Sequence, residues 1–422
     1  LARRRLPNPF KTLLQVFIIM KNFKKKKLVF LGISGGVDSA VSAALLKKQG
    51  YNVVGVFIRT WHPDFIKCTE EAERLDAMRV CAQLDIPFLT FDFADIYKKE
   101  VADYMISEYR DSRTPNPDVM CNKNIKFGAF LEKALALGAD YVATGHYSKI
   151  NKINSKSYFL NGLAEQKARR TEDLKKISFY YLLEKSIDPS KDQSYFLWTL
   201  KQKQLSKIIF PIGHLNKKEV RILAKKFKLP VADKKDSQGI CFLGAVDLKN
   251  FLKHYIKEKK GKVVFIDDKK EEIIGWHNGV TFFTLGERHG FVITKKSSND
   301  KPYYVIKKDI KKNILYVSQN KNSKDFSSSA SGNEKIGNPR HLESLNFYSI
   351  ELKDVNWILE IPKENKKYTA QIRYHGKYLN CRIVLRNSKK AEVLFEKSIL
   401  IDSGQSIVIY DKNICLGGGI VV

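Results

Sequence analysis

The strongest constraint on the fold is an alternation in the first third of the chain, where short apolar runs are separated by helical stretches. The runs are Leu28–Ile33, Val53–Ile58, Phe88–Phe93 and Tyr141–Thr144. Helical patterns follow them, ending near Lys48, spanning Glu70–Leu84, running to Arg110, and covering Asn124–Leu137. A strand that is apolar on both faces must be covered on both faces. Helices inserted between successive strands do this around a parallel sheet. The predicted class is therefore α/β with a doubly wound parallel sheet, and its ligand site belongs at the carboxyl ends of the strands.

Farther along, the pattern changes. Lys217–Lys260 reads as helical and basic, and its 217–235 part is a candidate backbone track for a nucleic acid or simply a solvated helix face. Short strands over Val263–Ile266, Val280–Phe283, Tyr303–Ile306 and Ile314–Val317 predict a small β module. Residues 319–345 are rich in Ser, Asn, Gly and Lys and suit a linker, and 350–422 carry strands with Gly turns, as in a small β-barrel. The expected division is a basic leader over 1–27, a catalytic domain over 28–250, a central β-rich module over 251–335 and a C-terminal barrel over 345–422. Within the catalytic domain, 151–190 is polar and Lys-rich and reads as an inserted, irregular loop with room for one short helix.

Charge and cysteine content narrow the functional classes. The 422 residues include 75 Lys plus Arg against 45 Asp plus Glu, a formal net charge of +30. A polyanionic partner explains such an excess through counterion release. So does compositional drift toward Lys, which supplies 59 of the 75 basic residues. Nine of the basic residues, and no acidic ones, fall in 1–27. Met20 reads as the working start, although an acidic-free, Arg-bearing N-terminus also has the character of an organellar presequence. The longest apolar run outside the strands, Leu13 to Met20, has eight residues. A membrane-spanning helix needs roughly 20, so a soluble, cytoplasmic protein is expected. Six cysteines (68, 81, 121, 241, 381 and 415) without a CxxC pair exclude a disulfide-stapled domain and a zinc knuckle. Cys81, Cys381 and Cys415 read as packing, Cys68 as a loop residue beside the second strand, and His62, His277 and His289 as surface or packing. No metal-ligating spacing is present.

Two segments carry chemistry. Gly32-Ile33-Ser34-Gly35-Gly36-Val37-Asp38-Ser39 follows a buried strand and opens a helix. Gly35 and Gly36 permit a sharp turn whose N–H groups converge, and Ser34 and Ser39 add hydroxyls, making an anion cradle at a helix N-terminus. No Lys follows the glycines, so it is not a Walker loop, and the Gly-x-Gly-x-x-Gly spacing is absent. The second segment is Thr114-Pro115-Asn116-Pro117-Asp118-Val119-Met120-Cys121-Asn122. There Cys121 lies near a helix start with Lys123 and Lys126, which favours a thiolate, and two prolines fix Asp118 relative to Cys121. Cys241 sits in the Gly-flanked segment Lys235 to Gly244. For either thiol alone, buried packing is the ordinary reading.

The string Ser-Gly-Gly-Val-Asp-Ser resembles the loop of the N-type ATP pyrophosphatases, which release pyrophosphate as they adenylate a substrate oxygen. Together with Thr114–Asn122, Ala143-Thr144-Gly145-His146-Tyr147, Lys191-Asp192-Gln193-Ser194-Tyr195-Phe196-Leu197, Gly239-Ile240-Cys241-Phe242 and Asp402-Ser403-Gly404-Gln405-Ser406, it resembles the tRNA-specific 2-thiouridylases over about 28–410. The resemblance implies an adenine nucleotide α-hydrolase-like PP-loop fold and 2-thiolation of the wobble uridine of tRNA. It implies ATP contacts by Gly32, Ile33, Ser34, Gly35, Gly36, Val37, Asp38, Ser39 and Gly145, with Mg2+ accompanying the nucleotide. Ile58 would contact the adenine, where many relatives carry Met. Asn116, Pro117 and Asp118 would meet the target base, with Asp118 as acid or base. His146, Lys191, Asp192, Gln193, Arg373, Tyr374 and Gln405 match tRNA-contact positions. Cys241 would receive sulfur as a persulfide from a donor protein and Cys121 would be its partner thiol, so that turnover leaves a Cys121–Cys241 disulfide. A monomer is expected. An iron–sulfur site on Asp118, Cys121 and Cys241 is the less favoured route, because no fourth Cys supports it. Two rivals stay open: an adenylating synthetase for a small molecule, and an RNA-binding relative without activity.

Overall fold

The computed structural model describes residues 26–66, 69–154, 179–236, 247–267, 270–295, 301–320 and 348–422. Most of the leader, Cys68, Cys241, the centre of the 151–190 insertion and most of the linker lie outside the described residues.

The first sheet holds β1 (Leu28–Gly32), β2 (Asn52–Arg59), β3 (Phe88–Asp92), β4 (Tyr141–Thr144) and β7 (Ile208–Ile209), in the order β3-β2-β1-β4-β7. All of its pairings are parallel. β1 is central, with Val29 opposite both Val53 and Tyr141, and its first four residues are buried. Helices α1 (Val37–Lys48) and α2 (Glu70–Gln83) follow β1 and β2. α3 runs as Ala94–Tyr97, a π-type turn Lys98–Asp103, and Tyr104–Arg110. α4 likewise passes from Pro117–Met120 through a π-type stretch Cys121–Ala129 into Phe130–Ala136. Valines and alanines of α1 pack against Val220 and Ala224 of α5 (Lys217–Lys226), closing one face of the sheet. The doubly wound reading holds.

Three readings need correction. The flanks of the 151–190 insertion are strands, β5 (Ser148–Asn154) and β6 (Phe179–Lys185), paired antiparallel from Ser148↔Lys185 to Asn154↔Phe179. β6 then joins the C-terminal sheet through Ile414↔Glu184 and a 2.9 Å bond from Lys185 N to Asn413 O. The partner strand lies some 230 residues away in sequence, so polarity of the intervening loop concealed it. Second, the helix over 217–260 is interrupted. Lys228 takes a left-handed φ of +54°, and Leu229 N bonds Ala224 O at 3.0 Å, a C-terminal stop reinforced by Pro230. A separate helix, α6, spans Leu248–Lys253. Third, Val280–Phe282 is a 3-10 turn instead of a strand, entered through Gly279 at φ +144°.

The central module is a mixed five-stranded sheet, β8 (Gly261–Asp267), β9 (Lys270–His277), β10 (Val292–Ile293), β11 (Tyr304–Asp309) and β12 (Ile314–Ser318), ordered β10-β9-β8-β12-β11. Only the β8–β12 pairing is parallel. The C-terminal module comprises β13 (Tyr348–Trp357), β14 (Tyr368–Gln371), β15 (Tyr378–Asn387), β16 (Lys390–Phe395), β17 (Ser406–Asp411) and β18 (Ile414–Val421). β13 pairs with both β16 and β18, so these six strands close into a barrel around Leu352, Ile383, Val393, Ile407 and Ile409. Gly417, at φ +139°, lies where β18 crosses β13, with the Asn356 carbonyl occupying the space a Cβ would need.

One apolar cluster reaches through all three modules. It joins Tyr97, Met105 and Ile125 of the first, Phe283 and Leu315 of the second, and Val408 and Tyr410 of the third. Among the described residues, no helix is long and apolar enough to cross a membrane.

Candidate active site

The PP loop is built where β1 ends. Ile33 N donates to Val56 O at 2.9 Å and keeps the chain extended beyond the strand. Gly35 then turns at φ +70°, and a Cβ there would collide with the Glu73 carbonyl of α2. Ser39 ties the loop together, accepting from Ser34 N at 3.2 Å and donating to Gly36 O at 3.1 Å. Ser34 is exposed while Gly36 and Asp38 are half-buried, so the concave side of the turn opens to solvent. Gly145, one residue past β4, packs its backbone on the loop: a Cβ there would stand 2.8 Å from Ser39 N. The structure thus brings together Gly32–Ser39 and Gly145, which sequence places over a hundred residues apart. Ile58 ends the same sheet edge, half-buried in β2 opposite Phe91.

Around this loop lies a charge network that sequence reasoning missed. Asp38 Oδ1 accepts from Tyr147 OH and from Lys217 Nζ, each at 2.7 Å. Lys217 also meets Asp236 at 2.9 Å, and Asp236 further binds Lys191 at 2.9 Å and Arg221 at 2.5 Å. Burial would raise the Asp236 carboxyl, but the bonds from Lys191 and Lys217 outweigh it and bring its pKa down to about 2. Burial, aided by the Asp38 charge, raises the Tyr147 phenol and keeps it a donor. Lys234 closes the other side, bonding Gly35 O at 3.1 Å and Asp76 at 2.8 Å. The signal for these residues was the basic run 217–235. Part of that run faces the PP loop: the Lys217 side chain is only 15% exposed.

The second chemical segment starts α4. Asn116 caps it, its Oδ1 accepting from Val119 N at 3.1 Å, and Pro117 occupies the first turn, where no N–H is needed. Asp118 and Cys121 follow one turn apart. Desolvation pushes the Asp118 carboxyl above the usual carboxylate range, and the Lys126 charge opposes that rise. Lys126 Nζ lies 3.4 Å from His146 Nε2, and His146 Nδ1 lies 2.7 Å from Thr144 Oγ1. Burial, then the Lys126 charge, holds His146 well below its ordinary pKa, so it is neutral. Lys126 and His146 therefore fasten the Cys121 helix to the end of β4, beside Gly145. The Cys121 side chain is a buried thiol. No disulfide is present among the described residues, and Cys241 lies outside them.

The residues matched to tRNA contacts fall into distinct settings. Asp192 is buried and accepts from Ser186 N, Ser194 N and Ser194 Oγ at 2.9–3.2 Å. Gln193 Oε1 accepts from Tyr147 N and Gln405 Oε1 from Asp402 N. Arg373 donates to Leu285 O at 2.6 Å and to Leu400 O at 3.3 Å. These side chains are fixed by hydrogen bonds to their own neighbours in the fold. Tyr374 lies against Phe196, ring centroids 4.4 Å apart and tilted at 46°, and burial and the nearby Asp192 and Asp118 charges lift its phenol to about 12. The barrel thereby delivers an aromatic ring close to Asp118.

Comparison with known proteins agrees with this arrangement. The family model described as "tRNA methyl transferase HUP domain" matches residues 27–245. Those described as "tRNA methyl transferase PRC-barrel domain" and "Aminomethyltransferase beta-barrel domain" match 249–319 and 348–421. Curated relatives share the whole length. The tRNA-specific 2-thiouridylase MnmA of Buchnera aphidicola is 41% identical over 94% of this chain and 97% of its own. That of Geobacillus thermodenitrificans is 40% identical over 93% and 94%, and that of Streptococcus thermophilus 39% over 94% and 95%. With a PP loop, a capped cysteine-bearing helix and full-length identity near 40%, the chain belongs to the tRNA-specific 2-thiouridylase family.

Proposed function

We propose that this protein uses ATP to convert the wobble uridine of tRNA to 2-thiouridine. The observation that carries the reading is the junction of Gly145 with the PP loop, one residue from His146, whose contact with Lys126 ties in the helix that carries Asp118 and Cys121. An adenylating loop and a thiol that are fastened together are what thiolation of a carbonyl requires, and methyl transfer needs neither. A small-molecule synthetase would use the loop without the thiol pair.

In this scheme the uridine is turned out of its stack, as a base modified within a loop must be. Its O2 attacks the α-phosphorus of ATP, and pyrophosphate leaves into the cradle of Ser34–Ser39, where loop N–H groups and the helix N-terminus stabilise it. Magnesium supplies further charge neutralisation on the phosphates when bound. Asp118, with its raised pKa, exchanges a proton with the base. The outer sulfur of a persulfide on Cys241, delivered by a donor protein, bonds to C2 and AMP departs. Cys121 thiolate then attacks the Cys241 sulfur, breaking its bond to the transferred sulfur. The Cys121–Cys241 disulfide that results needs a two-electron thiol reductant before the next cycle.

Mass spectrometry of tRNA nucleosides after incubation with ATP, magnesium and a sulfur source tests the proposal. New 2-thiouridine is expected from the parent, with none above background from Cys121→Ser or Cys241→Ser. Full activity in either variant overturns the scheme. AMP release without tRNA favours the small-molecule synthetase instead.

A further inference from the structure

The three modules meet at a buried ion pair just upstream of the cysteine-bearing helix. Lys308 Nζ lies 2.6 Å from Asp402 Oδ2, with the two side chains 7% and 5% exposed. Each partner reaches beyond its own module. Lys308, on β11 of the central module, donates to Ser112 O at 2.8 Å in the first module and to Phe283 O at 3.1 Å in its own. Asp402, in the barrel, accepts from Thr114 Oγ1 at 3.0 Å and from Leu285 N at 3.2 Å. A backbone bond from Thr114 N to Ser403 O, 2.7 Å, runs alongside. Ser112 is held at φ +57°, a conformation that a non-glycine residue keeps only when its surroundings enforce it.

Charges this deeply buried gain little stability over an apolar pair of the same volume, because desolvation offsets their attraction. What they gain is register, since only one arrangement pairs both charges and all their neighbours. The register set here is that of residues 112–114, and Pro115 and Pro117 stiffen the chain from there to Asp118 and Cys121. We propose that Lys308 and Asp402 are positioning residues for thiolation: through Ser112 and Thr114 they hold the Asn116–Cys121 segment in its reactive geometry, so the central module and the barrel set the rate of chemistry as well as the affinity for tRNA. The proposal rests on the reading that Asn116–Cys121 meets the target base.

The test is steady-state 2-thiouridine formation by the full chain, with tRNA affinity measured by filter binding and folding by thermal melting. Lys308→Met combined with Asp402→Leu replaces the pair by apolar groups. It is expected to fold, though to melt below the parent because Leu285 N and the carbonyls of Ser112 and Phe283 lose their partners. It should bind tRNA within about twofold of the parent, yet lose at least ~10-fold in kcat, since misplacement of reacting groups acts on the rate. Thr114→Val removes only the hydroxyl link and is expected to lower kcat in the same direction with tRNA affinity unchanged. Parent-like kcat in a folded pair variant overturns the proposal, as does a loss confined to tRNA affinity. If the pair variant does not fold, parent-like kcat in Thr114→Val overturns it. Cys121→Ser in the same assay judges the underlying site separately: full activity there removes the site reading, whatever the clamp variants do.

Discussion

At the residue scale, Asp118 illustrates how the site is held at the expense of the fold. Its carboxyl is raised by burial, so its folded-state pKa lies above the unfolded one. Such a group contributes stability that is full below the unfolded pKa and lost as pH rises through the folded value. At neutral pH the ionised carboxylate is therefore a net cost. Asp118→Asn should raise the melting temperature at pH 7.5 by about 2–4 °C. The gain should shrink toward pH 4, while thiolation falls by at least ~100-fold if Asp118 moves a proton. Differential scanning calorimetry at the two pH values, beside the nucleoside assay, checks both; a variant less stable at pH 7.5 contradicts the burial argument. His146 is the complementary case. It matches a tRNA-contact position, yet the structure uses it as a buried neutral link between Thr144 and Lys126. A residue's type and motif could be read from sequence, but whether its side chain faced solvent could not.

At the scale of elements, α5 was legible as a basic helix but not as part of the nucleotide site. Its capping box, Asn216 with Glu219, fixes where it starts, and that start places Lys217 against Asp38. Lys217 bridges the PP loop to Asp236 and places a positive charge beside the loop. Lys217→Met is expected to raise the KM for ATP by about tenfold, the scale of one charge-assisted hydrogen bond, with a smaller effect on the KM for tRNA. Competition by pyrophosphate should weaken in parallel. An unchanged KM for ATP would return Lys217 to the solvated-face reading. Four of the five strands of the first sheet were recovered within a residue or two because they are continuous apolar runs, whereas the two-residue β7 was not read as a strand. β5 and β6 were not, since their pairing depends on Asn413 and Ile414 at the far end of the chain.

At the scale of the whole molecule, the net charge of +30 now divides by location. Nine of the net charges belong to 1–27, leaving +21 for 28–422, while the lysines beside the PP loop and Lys308 are balanced by Asp38, Asp76, Asp236 and Asp402 and add nothing to that excess. The remainder is available for a polyanion. If tRNA phosphates meet it, affinity should fall by roughly 100-fold or more between 50 and 200 mM salt, with log K linear in log salt. Filter binding across that range, with the chain from residue 28 onward alongside, separates the leader's contribution. A flat response would leave Lys drift as the account of the excess.

Sequence by itself determined the parallel sheet, the Gly-Gly turn after β1 and the capped start of the Cys121 helix. Each of these is encoded locally, in a run of apolar residues, a Gly-Gly turn or a capped helix start. Tertiary structure decided what surrounds them: Gly145 on the PP loop, Lys217 on Asp38, β6 against the barrel, and Lys308 with Asp402 behind Thr114. These contacts join residues 94 to 288 positions apart, and they form only once the modules have packed and excluded water between them.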